Sequence, residues 1–162
     1  MVYAPYLNEL YEACKGKGAM LNGRSIHVSG KNDTQESVVS TGFPIDKDRN
    51  PDNNLDNLAR ILPMVRGVRR QGSAAFDLCC VAAGILDGYW EFNLHLWDVC
   101  AGILIVTEAG GTVRSFREDR NVSIVAGTPA IVEQLYPRLS DKPGKISVSY
   151  THLRAHETEA DL

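Results

Sequence analysis

The stretch Trp97-Asp98-Val99-Cys100-Ala101-Gly102-Ile103-Leu104-Ile105-Val106-Thr107-Glu108-Ala109-Gly110-Gly111 carries the decisive pattern of the chain. Val99, Ile103 and Val106 fall on one helical face, yet Cys100, Ala101, Leu104 and Ile105 are apolar too. A helix apolar nearly all round is expected to be buried, and Gly110-Gly111 stops it. Its first turn nevertheless carries Asp98, and burying an unpaired carboxylate is costly. Two explanations stand. Asp98 is an N-cap accepting from free backbone N–H groups, or it ligates a hard cation such as Mg²⁺. Trp97 is expected to pack the helix start, and His95 to be structural. Glu108 lies ten residues after Asp98, about 1000° of helical turn, and so faces about 80° away from it. It reads as a structural carboxylate at the helix end.

Outward from this helix, strands and helices alternate. Gly72-Ser73 opens an apolar helix from Ala74 to Ala83, closed by Gly84. Tyr89-Trp90-Glu91-Phe92 suits a strand, as do Val38-Val39-Ser40-Thr41, the short run 65–69 and Val122-Ser123-Ile124-Val125-Ala126. Thr112-Val113-Arg114 is a further short strand. Residues 46–57, rich in Asp and Asn, read as an exposed loop entering a helix near Leu55–Leu62. Thr128-Pro129 supplies an N-cap and a first-position proline for a last helix through Tyr136. Towards the start, 2–6 and 10–14 pair as a hairpin around Leu7-Asn8-Glu9. Asn22-Gly23 marks a second tight turn, and Ser25–Ser29 alternates like a strand. Alternation of this kind from residue 38 onward argues a layered α/β domain, with the polar run Gly30–Asp33 as its boundary.

The 162 residues amount to about one average domain, and 44% hydrophobic with 23% charged residues is an ordinary globular composition. Net charge is −3, without the basic excess of a nucleic-acid surface. No apolar run reaches the roughly 18 residues of a membrane span, and the first residues lack a signal-peptide pattern, so the expected compartment is the cytoplasm. Cys14, Cys79, Cys80 and Cys100 lack C-x-x-C spacing and read as free thiols, the last three buried.

Three apparent motifs fail on mechanism. Gly18–Ser25 resembles a phosphate-cradling loop with Arg24 in place of Lys, but it runs into a strand signal rather than a helix. Asp46, Asp48, Asn50 and Asp52 have calcium-loop spacing, yet Pro51 stands where Gly is needed and Asn57 where a bidentate Glu is. Asn121-Val122-Ser123 is a glycosylation triplet without a secretory signal.

The segment 97–111 resembles the second signature of the inositol monophosphatase family, W-D-x-A-A-G-x-x-(I/V/L)-x-x-E-A-G-G, with Cys100 as the main departure. Lys15-Gly16-Lys17-Gly18-Ala19 through Leu21-Asn22-Gly23 resembles the family's K-G-x-G-A-x-x-N-G turn. Gly72-Ser73-Ala74-Ala75 resembles its G-(S/T)-A-A helix start, and Tyr89-Trp90-Glu91 its Y-(Y/W/F)-E strand. The resemblance runs in one register from about residue 2 to 136. It implies that Asp98 is a Mg²⁺ ligand that also approaches substrate, that Glu91 bonds a ring hydroxyl of an inositol, and that Gly72, Ser73 and Ala74 contact substrate at a helix N-terminus. From the residues alone, the favoured readings are a solvated strand-end carboxylate for Glu91 and an N-cap for Ser73.

The family's Glu-Glu pair and D-P-(I/L)-D-G-T element, which hold its metals and position the attacking water, occur nowhere in these 162 residues. One carboxylate cannot assemble a site in which one ion activates water and another stabilises the leaving oxygen. The resemblance therefore implies the C-terminal part of a layered α/β/α/β/α sugar-phosphatase fold, a mixed sheet flanked by helices. Residues 1–32 would be the end of the N-terminal sheet and 33–147 the C-terminal α/β domain. Residues 148–162, after the loop-like 140–144, read as a non-native or disordered tail. The implied function is that of a fragment of a Mg²⁺-dependent phosphomonoesterase acting on inositol 1-phosphate or a related small ester, inactive as this isolated chain. No catalytic residue would then lie in the chain itself. The alternatives are a 3′(2′),5′-bisphosphate nucleotidase, a sugar phosphatase or a non-catalytic binding module. The implied partners are a small phosphorylated substrate and a second copy in a homodimer, with no nucleic acid and no membrane.

Overall fold

The computed structural model describes residues 1–119 and 121–139, so the expectation for the tail 148–162 lies outside the described residues. The first four strands, β1 (Val2–Ala4), β2 (Glu9–Ala13), β3 (Ala19–Leu21) and β4 (Arg24–Ile26), form an antiparallel meander in chain order. Asn22 and Gly23 both take positive φ, 49° and 74°, the geometry that matches a tight hairpin to strand twist. β3 is a third strand inside what the sequence shows only as a turn-bearing run; at three residues it is too short to display a period. β4 stops at Ile26 rather than Ser29, because the Val28 N–H leaves the sheet to donate to the Ala109 carbonyl at 3.1 Å.

The second sheet is mixed. β5 (Val38–Thr41) lies between β6 (Gly67–Arg69) and β7 (Gly88–Leu94), parallel to both; β9 (Val122–Gly127) pairs antiparallel with β7 and with β8 (Thr112–Ser115). The path steps outward from β5 to β6 through α1 (Leu55–Ile61), then back across β5 to β7 through α2 (Ala74–Ala82). Crossovers of one hand moving in opposite directions must use opposite faces of a sheet. Ile61 of α1 accordingly packs on one face with Val39, Trp90 and Val125, together with α4 (Pro129–Leu135). On the other face α2 packs with α3 (Leu96–Glu108) against Tyr89, Ile124 and Ala126. The first sheet covers the far side of α2 and α3 through Tyr11 and Ala19. The layers therefore run sheet, helices, sheet, helices.

Tyr89 and Trp90, adjacent on β7, are both fully buried on opposite faces, as the two-residue period of a strand requires. Helices α2 and α3 touch at Gly102, where an added Cβ would lie 2.6 Å from Leu78 Cδ1. The expectation that α3 is buried all round is corrected here. Val99, Gly102, Ile105 and Val106 are buried, whereas Trp97, Cys100 and Leu104 form an exposed stripe on the opposite face. Cys79 and Cys80 are buried as expected, Cys100 is not, and burial pushes the Cys79 thiol up to about 12. The 46–57 loop is corrected as well: Asp46 to Arg49 are exposed, but Asp52, Asn54 and Asn57 are buried.

Candidate active site

Strands β5, β6 and β7 run in the same direction, and their carboxyl ends meet the N-termini of α2 and α3. A crevice at such strand ends is the usual ligand position in open α/β sheets. Here it is a cavity of about 460 Å³ whose lining includes Gly72, Ser73, Ala74, Glu91 and Asp98, all the site residues expected from the sequence. Gly42, Phe43, Arg70, Leu94 and Trp97 complete most of the wall.

Gly72, at φ 89°, turns the chain from β6 into α2 in a conformation that disfavours side chains. The Ser73 hydroxyl accepts from the Phe76 N–H at 3.4 Å, so Ser73 is an N-cap. The first amides of a helix have no intrahelical acceptor, and Ala74 and Ala75 border the cavity. The helix start can therefore present N–H groups to an anion.

Helix α3 starts two residues earlier than the sequence suggests, with His95 as its N-cap. Asp98 is thus not the cap but the third residue of the helix, and its Oδ2 accepts from the His95 backbone N–H at 3.0 Å. This is the reciprocal arm of a capping box. It engages one carboxylate oxygen only. Trp97 does not pack the helix start into the core; it is 75% exposed and stacks on His95, ring centroids 4.3 Å apart.

Glu91 is half-buried rather than a solvated strand end. Its Oε2 accepts from the Tyr89 hydroxyl at 2.6 Å, and its carboxylate lies directly over Gly42, in the space that a Cβ there would need. Burial raises its carboxyl above the ordinary range, with the Asp77 and Asp98 charges adding to the rise, while the Tyr89 hydroxyl and Arg70 oppose it. Beyond Glu91 a bulge at Asn93, φ 62°, shifts the pairing with β9 and re-aims Leu94 towards the α2–α3 face.

Two residues at this site went unnoticed in the sequence. Arg70 is the one cationic side chain among the described residues of the cavity wall. Asp77, on α2 beneath the cavity, is almost wholly buried, and burial pushes its carboxyl up to about 6 against the pull of Ser40, Gln71 and Arg70. Its position inside an apolar helix was the available signal. Glu108 behaves as expected of a structural carboxylate, and its partners are the amides of Gly16 and Gly18, at 2.8 and 2.9 Å. The E-A-G-G end of α3 thereby clamps the K-G-x-G turn between β2 and β3.

Among the described residues no group of three or more His, Cys, Asp or Glu side chains is arranged to hold a metal ion. Asp98, with one oxygen already engaged, does not by itself fit a divalent cation. A second cavity, about 380 Å³, borders Arg117, but that guanidinium is engaged by Asp52 and Asp119, both at 2.8 Å. No helix among the described residues is long and apolar enough to cross a membrane.

Residues 1–144 match the model of the inositol monophosphatase family. The chain is 43% identical over 144 residues to the putative Nus factor SuhB of Neisseria meningitidis serogroup B, covering 86% of this chain and 55% of that protein. It is 46% identical over 116 residues to an inositol-1-monophosphatase of Synechocystis sp., covering 72% and 40%. An inositol monophosphatase structure from Anabaena (Nostoc) sp. superposes with a TM-score of 0.78 at 38% identity, over 84% of this chain and 56% of that one. The chain spans about half the length of the curated relatives it matches.

Proposed function

The chain belongs to the inositol monophosphatase family, and from that premise we propose that it carries the substrate-gripping side of a phosphomonoesterase site for inositol 1-phosphate or a similar small ester. The observation that carries this reading is the convergence of Gly72–Ala74, Glu91 and Asp98 on one cavity at the carboxyl ends of parallel strands. The α2 N-terminus suits the phosphate, where N–H groups and the helix dipole favour negative charge. The half-buried Glu91 carboxylate, held by Tyr89, suits a hydroxyl donor of the alcohol part. Asp98 would lend its remaining oxygen to Mg²⁺, with the other ligands coming from outside the described residues.

In this reading the isolated chain binds but does not turn over substrate. Purified chain supplied with Mg²⁺ should release no phosphate above background from inositol 1-phosphate. Turnover at an ordinary enzymatic rate would overturn the division of labour. A panel adding a 3′,5′-bisphosphate nucleotide and a sugar phosphate separates the inositol branch from its two alternatives. The name Nus factor, borne by the Neisseria relative, favours one second reading, a module that works by binding a macromolecular partner. Under that reading Glu91→Gln and Asp98→Asn would leave function in the cell intact.

A further inference from the structure

Asn54 stands at the N-cap of α1, yet its side chain makes no capping hydrogen bond. Asn is a favoured cap, and a capping bond stabilises its helix. The side chain instead turns inward, 2% exposed, from a backbone at φ 72° that Asn tolerates better than other side-chain-bearing residues. There its amide is used to capacity. Nδ2 donates to Thr41 Oγ1 at 2.9 Å and to the Gly42 carbonyl at 2.6 Å. Oδ1 accepts from Trp90 Nε1 and from Asn57 Nδ2, each at 3.0 Å. Two donors and two acceptor positions are all that a carboxamide has. Thr41 Oγ1 closes the ring by donating to the Trp90 carbonyl at 2.6 Å.

The two strands so tied are the ones that place Glu91. Gly42 is the backbone over which the Glu91 carboxylate lies, and Trp90 is its neighbour on β7. The loop that delivers Asn54 is anchored two residues earlier, where Asp52 meets the buried Arg117 at 2.8 Å. We propose that Asn54 is the positioning residue for Glu91: by locking Gly42 and Trp90 it fixes the floor on which the carboxylate rests, and so sets the cavity's preference for a hydroxyl-bearing phosphate ester over bare phosphate. The proposal rests on the reading that Glu91 meets the alcohol part of the substrate. Only a carboxamide satisfies these four partners. Asp in its place would set an anionic oxygen against the Gly42 carbonyl, and Gly would keep the backbone angle while deleting every bond.

Asn54→Gly and the milder Thr41→Val separate this role from simple stability. Two quantities are read on the whole chain: the carbon-13 resonance of the Glu91 carboxyl without ligand, and the affinity ratio of inositol 1-phosphate to inorganic phosphate by calorimetry. In Asn54→Gly the Glu91 resonance should move, and the ratio should fall about tenfold, the worth of one well-placed hydrogen bond. The affinity for inorganic phosphate should stay as it was. Thr41→Val should show the same changes to a smaller extent, and it carries the test should Asn54→Gly not fold. A lowered melting temperature with an unmoved Glu91 resonance and an unchanged ratio would reduce Asn54 to a structural residue and overturn the proposal. If the unmodified chain itself prefers neither ligand, the reading of the cavity fails and with it the link to specificity. The Glu91 resonance then decides alone whether Asn54 positions that carboxylate.

Discussion

Replacing Asp77 by Asn should stabilise the protein near neutral pH and leave it nearly unchanged in acid. The carboxyl is 1% exposed within α2, and burial raises it from 3.8 to about 6. An acid whose pKa is raised in the folded state binds its proton more tightly there than in the unfolded chain. Its contribution is therefore fully present below about pH 3.8 and is lost as pH climbs through about 6. A rise of about two units, at about 1.4 kcal/mol each, sets the cost of keeping the ionised group buried at about 3 kcal/mol. Asn cannot ionise, and its amide can still bond the Ser40 hydroxyl that now acts on the carboxyl. Urea denaturation of both proteins, at pH values on either side of that window, should show a stability gap that opens from near zero to at most about 3 kcal/mol. A gap independent of pH would refute the reasoning. So would an Asn variant that becomes the weaker partner as pH rises, since Arg70, Ser40 and Gln71 would then outweigh burial.

Three further outcomes follow from the packing. Gly102→Val should force α2 and α3 apart at Leu78, with a loss on the order of 1–3 kcal/mol in denaturant titration. Arg117→Met withdraws the cation from the buried Asp52 carboxylate and should lower stability by about 3 kcal/mol; adding Asp52→Asn should restore part of it, because no buried charge remains. Glu108→Gln turns an accepting oxygen into a donor facing the Gly16 and Gly18 amides, which should then exchange their hydrogens faster. Those two amides hold the Glu108 carboxyl below its usual range, so in the unmodified protein the clamp should persist at neutral pH and loosen only as acid protonates it.

The order of strands and helices from residue 38 onward was legible because each of those elements carries its own local signal. The β-prone run 38–41, the glycine stop after 109 and Thr128-Pro129 all describe short-range physics, and all correspond to observed elements. Gly72–Ala74, Glu91 and Asp98 were legible only through their motifs; nothing local says that they border one cavity. What stayed hidden depends on contacts distant in sequence. Asp52, Asn54 and Asn57 look like solvent-facing polar residues until Arg117, Trp90 and Gly42 are brought against them. Glu108 finds its partners some 90 residues away. The start of α3 was misjudged because a capping box shifts the acidic residue from the cap to the third helical position, and His95 gave no sign of standing at the cap. Leu104 and Cys100 look like core residues by composition, but which side of an apolar helix is covered is a property of its neighbours.

The central claim is that the α2 N-terminus, Glu91 and Asp98 grip one phosphate ester together. The most direct measurement is a titration of nitrogen-15-labelled chain with inositol 1-phosphate, with and without Mg²⁺, following backbone amides. The expected result is a set of saturable shifts concentrated at Gly72–Ala75, at Glu91 and its neighbours on β7, and at the first turn of α3. Saturable shifts centred instead on the cavity beside Arg117, or no shifts at ligand levels where inorganic phosphate binds, would contradict it.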